Sequence, residues 1–510
     1  MNKLLIISTS LLTMSSFGAY AQTVQTSDIV QTGIENSATV DQTLGQEGIS
    51  DITQNGSENT SSVTQSENLI GSDTFTIPAN VATIEQDGNE QSATITQVNE
   101  VTPTTGPTNS STILQSDDGS GALTSDGFTL QATSTQNGTG NTGLIIQTGS
   151  DNFALTEQNG QTNDSFVTQE NINNRAFLNE QGFGFNLNGA NNTSAITQTG
   201  QDNLARVDQD GDFLSSDILQ TGDGNRARVR DQNASNNSSI IIQDGNDNDA
   251  DINDQGAEPG TANLGSGNIS TILQTGDSNL ASLNQTGNNN LSETVQDGFS
   301  DVTGVVQTGN GNESFVLQLD TGSDNEAQVT QSGDGGTSNV SQGAGSNNIA
   351  TLVQAGEGNA SVIVQDGNDN IAFVEQALEN NSSDVLQIGD NNEANVDQTG
   401  VIGESVSIVQ IGSENYSELD DTGNDNASDI LQTGTLNYAD VLQTGFDNLS
   451  EIFQDGASNR AEVTQGSDGN LSSIIQTGTS NLAVVDQSVT SGNVSNILQD
   501  GTSNLATVLQ

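Results

Sequence analysis

The sequence predicts an all-β protein, a β-solenoid of about twenty stacked two-strand coils of ~22–23 residues, with loop insertions in the N-terminal half. Three observations lead to this fold class. Nearly the same dozen residues recur along the chain, as in QTGTSNLAVVDQ at 476–487 and QTGDSNLASLNQ at 274–285. The recurring positions alternate as they do in a β-strand. The small residue of each repeat changes between serine and alanine from one repeat to the next.

Each repeat is marked by a glutamine that returns every eleven or twelve residues, as at Gln432, Gln443 and Gln454. In the pattern Q-x-G-x-x-N-x-[AS]-x-[IV]-x-Q, the residues from Asn to the final Gln that define the repeat occupy every second position. They therefore share one face of a strand. The glycine after the first glutamine marks a tight turn, because glycine tolerates positive φ.

Two repeats form one coil, because the small residue alternates along the chain, as in Ser428, Ala439 and Ser450. Residues 22–510 are then one repeat domain. Gln181, Gln232 and Gln255 each follow one extra residue, which predicts a β-bulge before each. Loop insertions are predicted near 66–79, 98–108, 116–129, 182–191 and 256–267.

Amide side chains would lie inside this fold, where an unpaired amide costs ~1–3 kcal/mol. Stacking lets each amide donate to one coil and accept from the other, as in cross-β ladders. Asp421 replaces the glutamine between Gln398 and Gln443 and is predicted to interrupt a ladder. The predicted structural ladder contains Gln274, Asn279, Gln285, Asn290, Gln296, Gln432, Asn437, Gln443, Asn448, Gln454, Asn459, Gln465, Asn470, Gln476, Asn481, Gln487, Asn504 and Gln510.

The two-strand coil also predicts which outward side chains are neighbours. Tyr416, Tyr438 and Arg460 follow one another at steps of 22 residues and are expected in one column. Arg226 and Arg228 are expected one coil from Asp249 and Asp251, the partners that lie 23 residues later.

Composition and charge limit the function of the chain. A net charge of -59 with 30% hydrophobic residues is typical of disorder, and only the periodic pattern argues against it. Residues 1–21 predict a cleaved signal peptide, with basic Lys3, an apolar run and the site Ala19-Tyr20-Ala21, so the protein is expected to be secreted. The acidic surface argues against nucleic acid as a partner, and no later segment is apolar enough for membrane insertion.

Enzymatic activity is not predicted, because residues 22–510 contain no His or Lys and the recurring carboxylates are typical of a solvated surface. No cofactor is predicted. Asp244, Asn246 and Asn248 have the spacing of a calcium loop, but its sixth and twelfth positions hold Asp249 and Gln255 instead of Gly and Glu. A specific metal site is therefore not predicted.

The step Gln274-Gly276-Asn279-Ala281-Gln285, which alternates with S-x-x-x-Q strands, resembles the curlin repeat. The resemblance covers nearly all of residues 22–510 and implies a curli-type functional amyloid subunit of Gram-negative bacteria. It further implies an extracellular, cell-surface fibre of the biofilm matrix with a role in adhesion. The implied partners are other copies of the chain, other curli subunits and an outer-membrane secretion pore.

Two classes of function remain open from the sequence. Strands are predicted close to both chain ends without a cap, which favours head-to-tail polymerisation because a bare strand edge is a template for pairing. The alternative is a monomeric acidic β-solenoid adhesin or surface-binding module that does not polymerise.

Overall fold

The computed structural model describes residues 25–43, 48–69, 80–101, 109–116, 130–181, 191–253, 266–400 and 402–510. The described residues form parallel strands joined by turns, without a helix, and the chain divides into two compact units, 1–266 and 267–510. No helix that could cross a membrane occurs in the described ranges. The predicted signal peptide, residues 1–21, lies outside them.

The strands of the first unit are β1 (Thr26–Ile34), β2 (Ser37–Thr43), β3 (Ile49–Ser57), β4 (Thr60–Leu69), β5 (Val81–Asn89), β6 (Ser92–Val101), β7 (Ser110–Ser116), β8 (Gln131–Thr139), β9 (Thr142–Thr148), β10 (Phe153–Gln161), β11 (Asp164–Ile172), β12 (Arg175–Gln181), β13 (Thr193–Gln201), β14 (Leu204–Asp212), β15 (Ser215–Thr221), β16 (Arg226–Ser235), β17 (Ser238–Asp244) and β18 (Asp249–Asn253).

The strands of the second unit are β19 (Ile269–Asp277), β20 (Leu280–Thr286), β21 (Leu291–Phe299), β22 (Val302–Thr308), β23 (Glu313–Ser323), β24 (Glu326–Ser332), β25 (Thr337–Gln342), β26 (Ile349–Ala355), β27 (Ala360–Asp366), β28 (Ile371–Gln376), β29 (Ser382–Asp390), β30 (Glu393–Gln398), β31 (Ser405–Ser413), β32 (Tyr416–Asp421), β33 (Ala427–Thr435), β34 (Tyr438–Gln443), β35 (Leu449–Ala457), β36 (Arg460–Gln465), β37 (Leu471–Thr479), β38 (Leu482–Gln487), β39 (Val494–Thr502) and β40 (Leu505–Leu509).

Each unit is a β-solenoid with two parallel sheets, one of odd-numbered and one of even-numbered strands. A residue pairs with the equivalent residue one coil later, as Gln432 pairs with Gln454 and Gln443 with Gln465. Because one odd and one even strand complete a coil, the predicted two-strand solenoid is confirmed. In-register parallel pairing places like side chains above one another, which is the condition for side-chain ladders.

The core of each coil lies between the two sheets and consists of the alternate residues that the repeat predicts. In β33, Ser428, Ile430 and Gln432 are buried, while Asp429 between them is exposed. The small serine beside a branched isoleucine repeats in β35 and β37, so each unit has a thin core of small, aliphatic and amide side chains.

In many turns two backbone positions have positive φ. One is the predicted glycine: Gly434 has φ 107°, and a Cβ added there would lie 2.0 Å from the carbonyl oxygen of Gly456 in the next coil. The other is the residue before the inward asparagine, such as Asp447 (φ 56°) or Ser458 (φ 56°), which is left-handed. The repeat pattern did not predict this second position, although Asp, Asn and Ser, which recur there, suit short turns.

The structure tests two of the three predicted bulges, because Gln255 lies outside the described residues. Before Gln232 the register shifts, so that Gln232 pairs with Gln209. The prediction for Gln181 is wrong, because Glu180 pairs with Gln209 and Gln181 with Asp210 without a shift. β12 ends at Gln181, so no later pair in that strand would gain from realignment.

The predicted insertions fall mostly outside the described residues. Where they overlap them, residues 66–69 and 98–101 still belong to β4 and β6 and pair with each other in register. Those strands therefore continue beyond the points at which the insertions were predicted to begin.

Candidate functional site: the stacked amide ladders

The glutamines of the odd-numbered sheet in the second unit form one continuous hydrogen-bonded ladder. Gln432 donates from Nε2 to Oε1 of Gln454 over 2.9 Å, and Gln454 donates to Gln476 over 2.9 Å. Every member donates toward the later coil, so the ladder has a direction. Its members are Gln274, Gln296, Gln318, Gln342, Gln365, Gln387, Gln410, Gln432, Gln454, Gln476 and Gln499.

The second N–H of each glutamine connects the two sheets. Gln454 Nε2 also donates to the backbone carbonyl of Tyr438, and Gln476 Nε2 to that of Arg460, both over 2.9 Å. Both donors of a buried amide are thereby used, which removes the cost of burying it. Sequence reasoning missed this bond, because its acceptor is a backbone atom that leaves no mark in the sequence.

The asparagine column is held differently from the glutamine column. Asn459 Oδ1 accepts a hydrogen bond from the backbone N–H of Asn481 (3.1 Å), and Asn459 Nδ2 donates to the carbonyl of Gly478 (3.2 Å). The asparagine side chains of this column are also bonded to one another, but toward the earlier coil, as Asn459 Nδ2 donates to Asn437 Oδ1 (3.2 Å). The asparagines mainly tie the turn of one coil to the backbone of the next.

The structure places the predicted ladder residues in these columns. All of them are at most 2% exposed except Asn504, which is half-buried, and Gln510, which is exposed. Both exceptions lie in or beside β40, which pairs with β38 and has no later strand over it.

Asp421 interrupts the glutamine ladder of the even-numbered sheet. It is fully buried, and its Oδ1 accepts hydrogen bonds from the backbone of Gly423 (3.1 Å) and from Asn426 Nδ2 (2.8 Å). Its Oδ2 has no hydrogen-bond partner, and neither has the buried Oε1 of Gln443, the acceptor that a glutamine at position 421 would serve. The coil of β31 and β32 thus lacks two bonds that neighbouring coils possess.

Glu404 is a second buried carboxyl beside this interruption. It occupies the asparagine column between Asn381 and Asn426 and is 1% exposed. No N–H or hydroxyl group donates to its side-chain oxygens, and its carboxyl is in hydrogen-bond contact with that of Asp421. Burial, and then the charge of Asp421, raise the pKa of Glu404, while burial also raises the pKa of Asp421. A proton on Glu404 relieves the repulsion between the two groups.

Sequence reasoning identified Asp421 but missed Glu404. The signal was present, because Glu404 stands six residues before Gln410, the spacing at which other repeats have asparagine.

The calcium-like spacing at residues 244–248 belongs to a stacked turn. Asn246 Oδ1 accepts a hydrogen bond from the backbone of Asp223 (3.0 Å), and Asn248 is buried in the asparagine column. Across the described ranges, no group of three or more His, Cys, Asp or Glu residues is arranged to hold a metal ion.

The outward columns lie where the 22-residue coil places them. The rings of Tyr416 and Tyr438 stack with centroids 5.1 Å apart, and the guanidinium of Arg460 lies 4.5 Å from the Tyr438 centroid. Arg226 pairs in register with Asp249, and Arg228 with Asp251. Both predictions of outward neighbours are confirmed.

The model of the curlin associated repeat matches four segments of the chain, 200–230, 303–333, 345–377 and 435–466. Each segment covers an odd-numbered strand and at least half of the even-numbered strand on either side of it, such as β34, β35 and β36 in the last segment. The predicted resemblance is therefore confirmed in both units. No curated protein matched the chain.

Proposed function

Since the chain carries curlin repeats, a family associated with extracellular curli fibres, we propose that it is a secreted structural protein that self-assembles end to end into fibres of the extracellular matrix. In this proposal its main partner is another copy of itself. Other curli subunits and an outer-membrane secretion pore are further partners, and the fibre lies at the surface of a Gram-negative cell.

The direction of the glutamine ladders is the observation that carries this proposal. Inside the odd-numbered ladder of the second unit, each glutamine accepts at Oε1 from the earlier coil and donates at Nε2 to the later one, as Gln454 does between Gln432 and Gln476. Two copies stacked in the same sense would continue both this ladder and the parallel backbone pairing. Like ends would not match, so the contact is head to tail and does not close on itself.

The local nature of the stack supports the same proposal. Each strand pairs only with the strand one coil before and one coil after it, as β35 pairs with β33 and β37. A contact between copies would therefore repeat a contact that each copy already contains, and no new interface chemistry is required.

Thioflavin T fluorescence, light scattering and electron microscopy of the chain without residues 1–21 test the proposal. We expect fibres that grow faster when fragments of preformed fibres are added. A chain that stays monomeric for days at high concentration would contradict self-assembly and favour the alternative, a monomeric adhesin or surface-binding module.

A variant pair tests whether the ladder itself carries elongation. Gln499→Glu, in β39, keeps the acceptor for Gln476 but removes the N–H that a following coil would receive, together with the N–H that donates to the carbonyl of Leu482. Asn496→Glu makes the same charge change at an exposed position of the same strand. We expect slower seeded elongation for Gln499→Glu than for Asn496→Glu, and equal rates would show that the ladder does not carry elongation.

A further inference from the structure

Five of the six arginines that the structure describes lie on one outer face. This arginine patch belongs to strands β12, β14 and β16 of the even-numbered sheet in the first unit. Its members are Arg175, Arg206, Arg226, Arg228 and Arg230.

The arginine patch is open to a partner. The side chains of Arg206 and Arg226 are 54% and 46% exposed. Three aspartates, Asp208, Asp249 and Asp251, pair with four of the five arginines, and Glu157 also lines this face, so five cations stand against four carboxylates.

A groove lies within the arginine patch. Its volume is about 480 Å³, and Leu155, Phe177 and Leu204 supply apolar surface between the guanidinium groups. The face therefore combines excess positive charge with contact area.

A second outer face has the opposite character. This carboxylate patch lies on β30, β32, β34 and β36 of the even-numbered sheet in the second unit. Its members are Asp397, Glu418, Asp420, Asp440 and Glu462.

The carboxylates of this patch stack directly on one another, which is unfavourable without compensation. Asp397 pairs in register with Asp420, and Asp440 with both Glu418 and Glu462. Burial, and then the charges of Asp397, Glu418 and Asp440, raise the pKa of Asp420.

The hydroxyls of Tyr416 and Tyr438 donate hydrogen bonds to Glu418 (3.0 Å) and Asp440 (3.2 Å), but positive charge is scarce around the carboxylate patch. Arg460, which contacts Glu462, is the one arginine of the described second unit. In addition, the Oδ1 atom of Asp397 is buried without a hydrogen-bond partner.

We propose that the arginine patch of one copy binds the carboxylate patch of another, so that neighbouring solenoids associate side by side. Both patches are outer faces of parallel, in-register sheets, in which equivalent residues recur ~4.8 Å apart along the stack. Arg206 pairs in register with Arg228, and Glu418 with Asp440, so this pair of guanidinium groups and this pair of carboxylates have the same spacing. This contact is independent of end-to-end polymerisation and would also link monomers.

Ionic strength should affect this contact in two opposite ways. The whole chain carries a net charge of -59, so copies repel one another when salt is low. At about 0.15 M salt the Debye length is ~8 Å, which screens distant charges but leaves directly contacting pairs attractive, whereas at about 1 M it is ~3 Å. We therefore expect side-by-side association to be strongest at intermediate salt.

Sedimentation velocity tests the proposal with two charge-reversed variants. The samples are freshly prepared chains without residues 1–21, measured before fibres appear. Arg175→Glu with Arg206→Glu makes both patches acidic, and Glu418→Arg with Asp440→Arg removes the net negative charge of the carboxylate patch, so that neither patch is acidic. Each variant alone should associate with an affinity at least about tenfold lower than that of the wild type. A mixture of the two should associate again, and this rescue shows that each variant is folded.

The matched control is Asp429→Arg with Glu451→Arg. These exposed carboxylates are also stacked neighbours and lie on β33 and β35, in the odd-numbered sheet. The control makes the same change in net charge as Glu418→Arg with Asp440→Arg, and it should associate at least as strongly as the wild type.

Three outcomes would overturn the proposal. The first is that association of the wild type shows no maximum at intermediate salt. The second is that a mixture of the two variants stays dissociated. The third is a wild type that binds an added polyuronate through the arginine patch but does not self-associate, which would assign the patch to an acidic polysaccharide.

Discussion

Restoring the interrupted ladder should stabilise the coil of β31 and β32. The double change Glu404→Asn and Asp421→Gln gives both positions the residue types that neighbouring coils have. The amide introduced at position 421 would accept from Gln398 and donate to Gln443, whose Oε1 is buried without a partner. The change also removes two buried carboxyls from the interior of the stack.

The expected gain follows from counting hydrogen bonds. Two new amide bonds stabilise by about 1 kcal/mol each, and pairing the orphaned Gln443 oxygen avoids a cost of about 1–3 kcal/mol. Against this, the two hydrogen bonds that Asp421 accepts from Gly423 and Asn426 are lost or weakened, at about 1 kcal/mol each. We expect a net gain of about 2 kcal/mol in the free energy of opening this coil near pH 7.

The wild-type coil should lose stability as pH rises. Burial raises the pKa values of both Glu404 and Asp421 in the folded state above their ordinary values of 4.5 and 3.8. Above pH values of about 4, the folded state therefore binds more protons than the unfolded state. The stability that these protons contribute is fully present below about pH 4 and is lost as pH rises through the folded-state pKa values. The double variant has neither carboxyl and should not show this loss.

The appropriate assay is amide hydrogen exchange of residues 405–435, because local opening of a repeat fold is not a two-state global event. It is measured from about pH 5 to about pH 8 and corrected for intrinsic exchange rates. Residues 449–487, where both ladders are intact, serve as the internal reference. Asp429→Asn removes an exposed charge from β33 without touching a ladder and should change the opening free energy by less than about 0.5 kcal/mol. Equal, pH-independent protection of the two segments in the wild type would refute the reasoning, as would an unchanged double variant.

Three further predictions concern single positions of the stack. Gln465→Asp places a second carboxyl in an intact ladder and should destabilise its coil by about 2–4 kcal/mol, measured by hydrogen exchange. Thr477→Asp replaces a side chain that donates to the carboxylate one coil later, so it should lower the melting temperature at low salt more than Thr477→Asn does, and the difference should vanish in high salt. Gly456→Ala forces a Cβ to within 2.0 Å of the next coil's backbone oxygen and should lower the free energy of unfolding by more than about 2 kcal/mol. Gly469→Ala, with open space around it, should lower it by about 1 kcal/mol, and equal losses would contradict the steric explanation.

The repeat pattern was enough to predict the fold and the glutamine columns. A strand alternates at period two, and a two-strand coil returns at 22 or 23 residues, so spacing alone identifies which residues share a face and which lie above one another. That is why the stack of Tyr416 on Tyr438 could be predicted, and the pairing of Arg226 with Asp249 as well.

Features that depend on the distance between the two sheets could be recognised only in the structure. The bond from Gln454 to the carbonyl of Tyr438 crosses from one sheet to the other, and a pattern within one strand contains no information about that distance. The pairing of Glu404 with Asp421 is of the same kind, because the two residues belong to different columns that meet only across the core.

The sequence by itself therefore determined the strands, their register and the identity of the stacked columns, since these follow from periodicity along the chain. The tertiary structure decided which donors meet which acceptors across the core and which outer faces gather like charge. It also decided that β12 keeps its register at Gln181 instead of forming a bulge. Hydrogen bonds and charge clusters depend on distances of a few ångströms between separate strands, and those distances exist only once the coils are packed.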